Sequence, residues 1–365
     1  MSFKCGIVGL PNVGKSTLFN ALTSTAAAEA ANYPFCTIEP NIGRVAIPDA
    51  RMQVLANIAG SAKLIPSQIE FVDIAGLVKG ASKGGGLGNQ FLGHIREVDV
   101  IVYVLRCFDN GDIVHVEGSI EPLRDADIIE TELIYADLES LEKRIPNLEK
   151  KARQDKEAAT QLELIRRILP LLGQGKAARF AEVSEDERKQ FAMLQLLTAK
   201  PVMYVCNMSE TEVVAGNEYS RKVEAMVKEK HASSIRISAR IEEEIANLPD
   251  ENDKKEFLAA AGLSETGLSS IIRLCYSLLK QITFFTVGPK ECHAWNVHEG
   301  ATAPEAAGAI HTDFQRGFIS AETIAYQDYV ACKGEQGAKE TGKMRVEGKN
   351  YTVKDGDVFH FRFNV

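Results

Sequence analysis

Gly9-Leu10-Pro11-Asn12-Val13-Gly14-Lys15-Ser16 decides how this chain is read. The stretch fits the pattern G-x4-G-K-S/T and stands between a short apolar run, residues 3–9, and the helical pattern Ser16-Thr17-Leu18-Phe19-Asn20-Ala21-Leu22. Strand, glycine-rich loop and helix in that order make a phosphate cradle. Gly9 and Gly14 let successive backbone N–H groups turn toward phosphate oxygens, and the helix N-terminus adds its positive dipole end. Lys15 supplies a point charge for the β- and γ-phosphates, and the Ser16 hydroxyl can ligate Mg2+. Asn12, Val13, Gly14, Lys15, Ser16 and Thr17 are therefore the expected phosphate-binding residues.

Outward from the loop, strand-like runs recur at 68–72, 98–106, 201–206 and 233–237, with helical or irregular sequence between them. That alternation predicts an α/β fold, a mainly parallel sheet with helices on both faces. The run 68–72 leads into Asp73-Ile74-Ala75-Gly76, where Asp73 is expected to hold Mg2+, directly or through water, and the Gly76 N–H to meet the γ-phosphate. Thr37, in the loop before the next strand, is the expected switch threonine and a third ligand of the same ion.

Base recognition falls to Asn207-Met208-Ser209-Glu210, after the run 201–206. The guanine-specific pattern is Asn-Lys-x-Asp, whose Asp accepts from the N1–H and exocyclic amino group of guanine. Here Met208 replaces the Lys and the longer Glu210 replaces the Asp, so ATP is expected to be accepted at least as well as GTP. Asn207 is expected at the N7 edge that both purines share, Met208 as an apolar flank, and Ser238-Ala239 as the backbone bordering the base.

The chain has 365 residues, enough for two to three domains. Its 42 Lys and Arg against 50 Asp and Glu give a net charge of −8, which argues against a surface wrapped wholly in nucleic acid, and DNA is not an expected partner. Seven scattered cysteines without C-x2-C spacing read as reduced, buried thiols. Cys292, His293, Trp295 and His298 lack a second ligand pair at zinc spacing. The start Met-Ser-Phe-Lys-Cys has no signal-peptide pattern and no apolar run approaches the ~20 residues of a membrane span, so the expected location is cytoplasmic.

From about 131 the pattern turns to long stretches rich in Glu, Lys, Leu, Ala and Arg, with Leu133, Leu138, Leu141, Ile145 and Leu148 at helical spacing. The expected organisation is a nucleotide-binding domain, 1–130 and 198–281, with a helical hairpin, 131–197, inserted into it and a small α+β module at 282–365. Within that module 349–353 reads as a strand, 304–314 as a helix and 333–349 as a flexible basic loop.

Taken together, the phosphate loop, the Asn32-Tyr33-Pro34-Phe35 segment, Asp73-Ile74-Ala75-Gly76-Leu77-Val78-Lys79-Gly80-Ala81, Gly86-Leu87-Gly88-Asn89 and Asn207-Met208-Ser209-Glu210 resemble the translation-factor class of P-loop NTPases. The likeness is closest to the Obg-like ATPases of the YchF subfamily and spans the chain. It implies a coiled-coil-like insertion, a C-terminal TGS domain of ubiquitin-like β-grasp shape, hydrolysis of ATP to ADP, and association with the ribosome through rRNA or a ribosomal protein.

The resemblance also bears on how hydrolysis works. Ras-like proteins orient the attacking water with a Gln directly after Asp-x-x-Gly, and this chain has Leu77 there, so intrinsic turnover is expected to be slow. Three replacements are open. Asn12 holds the position that helps coordinate K+ in potassium-activated relatives, His115 resembles a histidine proposed to activate water in the family, and a partner could supply the group. Two functional classes follow, an ATPase whose hydrolysis resets a ribosome-associated switch and a binding module for which ATP occupancy is itself the signal, with a GTPase of the same architecture as a third, narrower alternative that Glu210 discriminates.

Overall fold

The structure is a computed structural model and describes residues 3–30, 41–74, 86–111, 115–230, 232–248 and 250–364. Its strands are β1 (Phe3–Val8), β2 (Ile42–Ala46), β3 (Leu64–Ile65), β4 (Gln68–Asp73), β5 (Val100–Arg106), β6 (Val202–Asn207), β7 (Ser233–Ile237), β8 (Gln281–Val287), β9 (Cys292–His298), β10 (Phe318–Ala325), β11 (Arg345–Glu347) and β12 (Asp357–Phe363). β5 and β6 are apolar up to their last residues, Arg106 and Asn207, and buried at every residue, the signature of central strands covered on both faces. They sit inside a sheet ordered β2-β4-β1-β5-β6-β7, parallel throughout except at the β2 edge. Helices α1 (Lys15–Ala30), α2 (Ala50–Ala59), α3 (Gly86–Glu97), α4 (Pro122–Lys151) and α5 (Lys156–Gly173) follow in chain order. The α/β fold expected from the alternation is the fold observed, and α3 carries His94 as an ordinary helix residue.

A second sheet, β11-β10-β12-β8-β9-β3, mixes parallel and antiparallel pairs. One face packs Phe284, Phe359 and Phe361 against the helix Ala303–Ile310, in a β-grasp arrangement. The other face is covered from the far end of the chain: Met52, Leu55 and Ala56 of α2 are buried with Phe285, Cys292 and Ala294. β3 pairs with β9 in parallel, and Arg51 bridges Asp49 and Asp355 at 2.7 and 2.6 Å. The C-terminal sheet, expected from 282–365 alone, thus takes a strand and a helix from 50–65.

Three details inside this module depart from expectation. Residues 349–353 make only an isolated bridge, Thr302 to Thr352, because the chain turns there, with the Tyr351 N–H donating to the Gly348 carbonyl. The edge strand is instead β11, which with the helix Glu335–Glu340 gives regular structure to the segment read as a flexible loop. The helix expected over 304–314 breaks at His311, whose extended backbone (φ −160°, ψ 142°) ends one helix while its side chain caps Thr312–Arg316.

The helical hairpin grows out of the core around the first sheet with no joint. α4 begins at Pro122, packs Ala126, Ile129, Leu133 and Ala136 into the main core, and continues until Leu141 lies in a separate core with Ile165 and Ile168 of α5. The boundary expected at 131 therefore falls within one helix. Asp137, buried at 2% exposure, fastens the returning chain: it accepts from the Leu197 and Thr198 amides at 2.8 and 2.9 Å and from the Thr198 hydroxyl at 2.6 Å. Asp137→Ala strands two buried N–H groups and is expected to cost about 3 kcal/mol of folding stability. A urea titration checks this, and a loss below about 1 kcal/mol would deny Asp137 the fastening role.

The described cysteines are free thiols, and Cys5, Cys107, Cys206, Cys275 and Cys292 are buried. Among the described residues no helix is long and apolar enough to cross a membrane.

Candidate functional site

A cleft of about 1100 Å3 opens at the carboxyl ends of β1, β4, β5 and β6, where ligands collect in open α/β sheets. Sheet register builds it. Ile7 of β1 is paired with Asp73 at the end of β4, Arg106 of β5 with Asn207 of β6, and Asn207 with Ile237 of β7. The chemistry-bearing residues therefore emerge side by side although they are far apart in sequence.

The phosphate loop occupies one end of the cleft and contributes Asn12, Gly14, Lys15, Ser16 and Thr17 to its lining. α1 starts at Lys15 with no acidic residue in its first turn, so its N-terminal dipole is uncompensated. Gly14 has φ +88°, and a Cβ there would run into the Asn207 amide, so glycine is required on both counts. Asn12 also takes a left-handed φ of 64°, which Asn tolerates better than most residues. Val13, expected among the ligand-binding residues, sends its side chain into the core at 1% exposure and engages its carbonyl with Asn207.

Lys15 is ion-paired with the Asp73 carboxylate, and both side chains are largely buried. The two charges, expected from the sequence to serve phosphate and a cation, neutralise one another at that end of the cleft. Asp73 is held there from two sides, its N–H donating to the Asn41 carbonyl at 2.8 Å while the Ile74 N–H donates to Ile7 at 3.1 Å. Ser16 and Asp73 offer a hydroxyl and a carboxylate, hard oxygen donors that suit Mg2+. Thr37 and the Cys36 thiol beside it, Gly76 and Leu77 lie outside the described residues.

The opposite end is framed by Asn207, Met208 and Glu210 with Ser238 and Ala239. Asn207 is 4% exposed and acts as a tie, its Nδ2 donating to the Val13 carbonyl at 2.9 Å and its Oδ1 accepting from the Ala239 N–H at 3.0 Å. The expected reach to a purine N7 therefore rests on the second Nδ2 proton alone. Met208 is 2% exposed with its N–H on the Ile237 carbonyl at 2.7 Å, a fixed apolar wall. Ser238 is buried and caps the helix Ala239–Ala246. Glu210 is ion-paired with Arg240, whose Nε lies 2.9 Å from its Oε1.

His115 is not among the residues lining the cleft. It is 7% exposed, its Nε2 lies 2.8 Å from Asp125 Oδ2, and its Nδ1 accepts from the Glu117 N–H at 3.2 Å. The neutral tautomer protonated at Nε2 satisfies both contacts, and neither nitrogen is left for a water. The sequence reading kept His115 as one of three candidates for activating water; that role requires Asp125 to release it.

Sequence reasoning missed a third wall, Phe108, Asp109 and Asn110, which follows β5. Arg106, the last residue of β5, is 1% exposed beneath it, with Nε donating to the Phe108 carbonyl at 3.2 Å, one terminal nitrogen donating to Asn110 at 3.1 Å, and the guanidinium 4.8 Å from the Phe108 ring centroid. The available signal was the lone arginine closing an otherwise apolar strand.

A family profile named YchF-GTPase_C, described as a protein of unknown function, matches residues 281–364, and one described as a 50S ribosome-binding GTPase matches residues 4–138. The chain is 54% identical to the ribosome-binding ATPase YchF of Haemophilus influenzae and 51% identical to the protein of that name in Bacillus subtilis, in each case over the whole of both chains. The solved structure of the Schizosaccharomyces pombe YchF GTPase matches with a TM-score of 0.88 at 37% identity, covering 99% of this chain and 98% of that one. Likeness of sequence and of backbone along the full length leads to one conclusion: this chain belongs to the YchF family of P-loop NTPases.

Proposed function

We propose that this protein is a slow ATPase that binds ATP with Mg2+ in the cleft, hydrolyses it to ADP and phosphate, takes GTP less well, and works with the ribosome in the cytoplasm as a nucleotide-dependent factor. The observation that carries the reading is the joined frame of the cleft, in which Asn207 ties the phosphate loop to the Ser238-Ala239 backbone while Lys15 and Asp73 face each other at the phosphate end. The ribosome enters from the names of the bacterial relatives, ribosome-binding ATPase YchF.

In this reading the phosphate-loop amides and the α1 N-terminus bind the phosphate chain, Lys15 leaves Asp73 for the β- and γ-oxygens, and Gly76 meets the γ-phosphate. Ser16, Thr37 and Asp73 hold Mg2+, which when bound neutralises charge on the phosphate oxygens. Met208 and Phe108 give the base apolar walls. Asn12 is the residue through which K+ would stimulate turnover. With Leu77 in place of a water-positioning Gln and both His115 nitrogens engaged, basal hydrolysis is slow. That same engagement favours a second reading, in which ATP occupancy gates ribosome binding and hydrolysis is incidental. Ribosome co-sedimentation in ATP and in a non-hydrolysable analogue separates the two, since an identical cycle of binding and release in both nucleotides rules out the switch reset by hydrolysis.

The direct test of the main reading is equilibrium binding of fluorescent ATP and GTP analogues with Mg2+, run in parallel in K+ and in Na+. Tighter binding of ATP is the expected result. A tenfold preference for GTP, about 1.4 kcal/mol, would overturn the base assignment.

A further inference from the structure

We propose that Arg240 is a positioning residue for base selection, spending the Glu210 carboxylate on an ion pair so that it cannot read guanine. The inference rests on the cleft being the nucleotide site. Arg240 and Glu210 both line it, one from the first turn of the helix Ala239–Ala246 and the other from the loop after β6. Arg240 Nε lies 2.9 Å from Glu210 Oε1 and 3.6 Å from Glu244 Oε1, so the guanidinium is also held from its own helix, four residues on. The backbone beneath the pair is fixed, because the Ala239 N–H is tied to the buried Asn207 side chain.

The chemistry of the two purines makes this pair selective. Guanine presents an N1–H and an amino group on the edge that a carboxylate reads, and both are donors. Adenine presents an unprotonated N1, an acceptor that an unpaired carboxylate repels. Neutralising Glu210 with Arg240 removes the attraction for guanine and the repulsion for adenine together, and both changes favour ATP. Arg240 is 74% exposed and Glu210 43% at their side chains, so solvent screens the pair and its effect on selectivity is bounded.

The test measures the ratio of ATP to GTP affinity by fluorescent-analogue titration of the full chain with Mg2+, for wild type, Arg240→Ala, Arg240→Lys, Glu210→Gln and the Arg240→Ala/Glu210→Gln double variant. Arg240→Ala is expected to shift the ratio toward GTP about fivefold, equivalent to about 1 kcal/mol. Arg240→Lys should restore much of the wild-type ratio, and the double variant should lose the shift, since no carboxylate is left to free. A ratio within twofold of wild type in Arg240→Ala would overturn the inference. So would an equal shift in the double variant, which would mean that Arg240 touches the base without Glu210. The wild-type ratio by itself judges the proposed preference for ATP, whereas only the change between variants judges Arg240.

Discussion

Lys15→Ala is expected to weaken ATP binding at least about a hundredfold, the cost of removing one partner from a buried, hydrogen-bonded charge contact. Two effects act together. The variant loses the ammonium that meets the β- and γ-phosphates, and it leaves Asp73 without the cation it pairs with, so a carboxylate faces the incoming polyanion. The backbone amides and the α1 dipole remain, which is why residual binding survives. A titration with fluorescent ATP and Mg2+ reads the loss, and a urea unfolding curve alongside should show a loss of about 1–3 kcal/mol, because the largely buried Asp73 carboxylate is left without its cation. Wild-type affinity in this variant would remove the phosphate loop from the proposed site.

Asn207→Ala should lose stability by a different route, through unpaired backbone groups, together with the loss of binding. Its amide bridges two buried backbone groups, the Val13 carbonyl and the Ala239 N–H. Truncation leaves both without a partner in an interior closed to water, at about 1–3 kcal/mol each. It also opens a gap against Gly14, which has no side chain to fill it. About 3 kcal/mol of destabilisation is expected on this basis, with ATP affinity falling because the two halves of the cleft are no longer held at a fixed distance. The urea midpoint and the ATP titration check it together. A variant that keeps its urea midpoint and loses only ATP affinity would show that Asn207 reads the base and holds nothing.

The contrast between these two residues marks what could be seen in advance. Lys15 and Asp73 were legible because a phosphate loop between strand and helix is a local pattern, and strand ends deliver it to the sheet edge. The parallel sheet was legible for a related reason, since β5 and β6 are apolar at nearly every residue. Asn207 could be named but its work could not, because a tie between Val13 and Ala239 depends on strand order, which periodicity does not encode. The ion pair of Glu210 with Arg240 was invisible for the same reason, and His115 looked like a free loop histidine until its Asp125 partner was in place. The break at His311 came from a single extended residue inside an apolar run of helical composition.

The strand β3 has a consequence for how the molecule is made. It pairs with β9, which lies in the last part of the chain, and α2 beside it covers Phe285 and Ala294. A ribosome synthesising this protein releases 50–65 early and the sheet that receives them last. During that interval Met52, Leu55 and Ala56 have no apolar surface to meet, so an unfinished chain carries an exposed greasy segment next to an otherwise folding nucleotide domain. Closing so long a loop is slow, and the final assembly of the C-terminal sheet therefore reports that translation has passed β12.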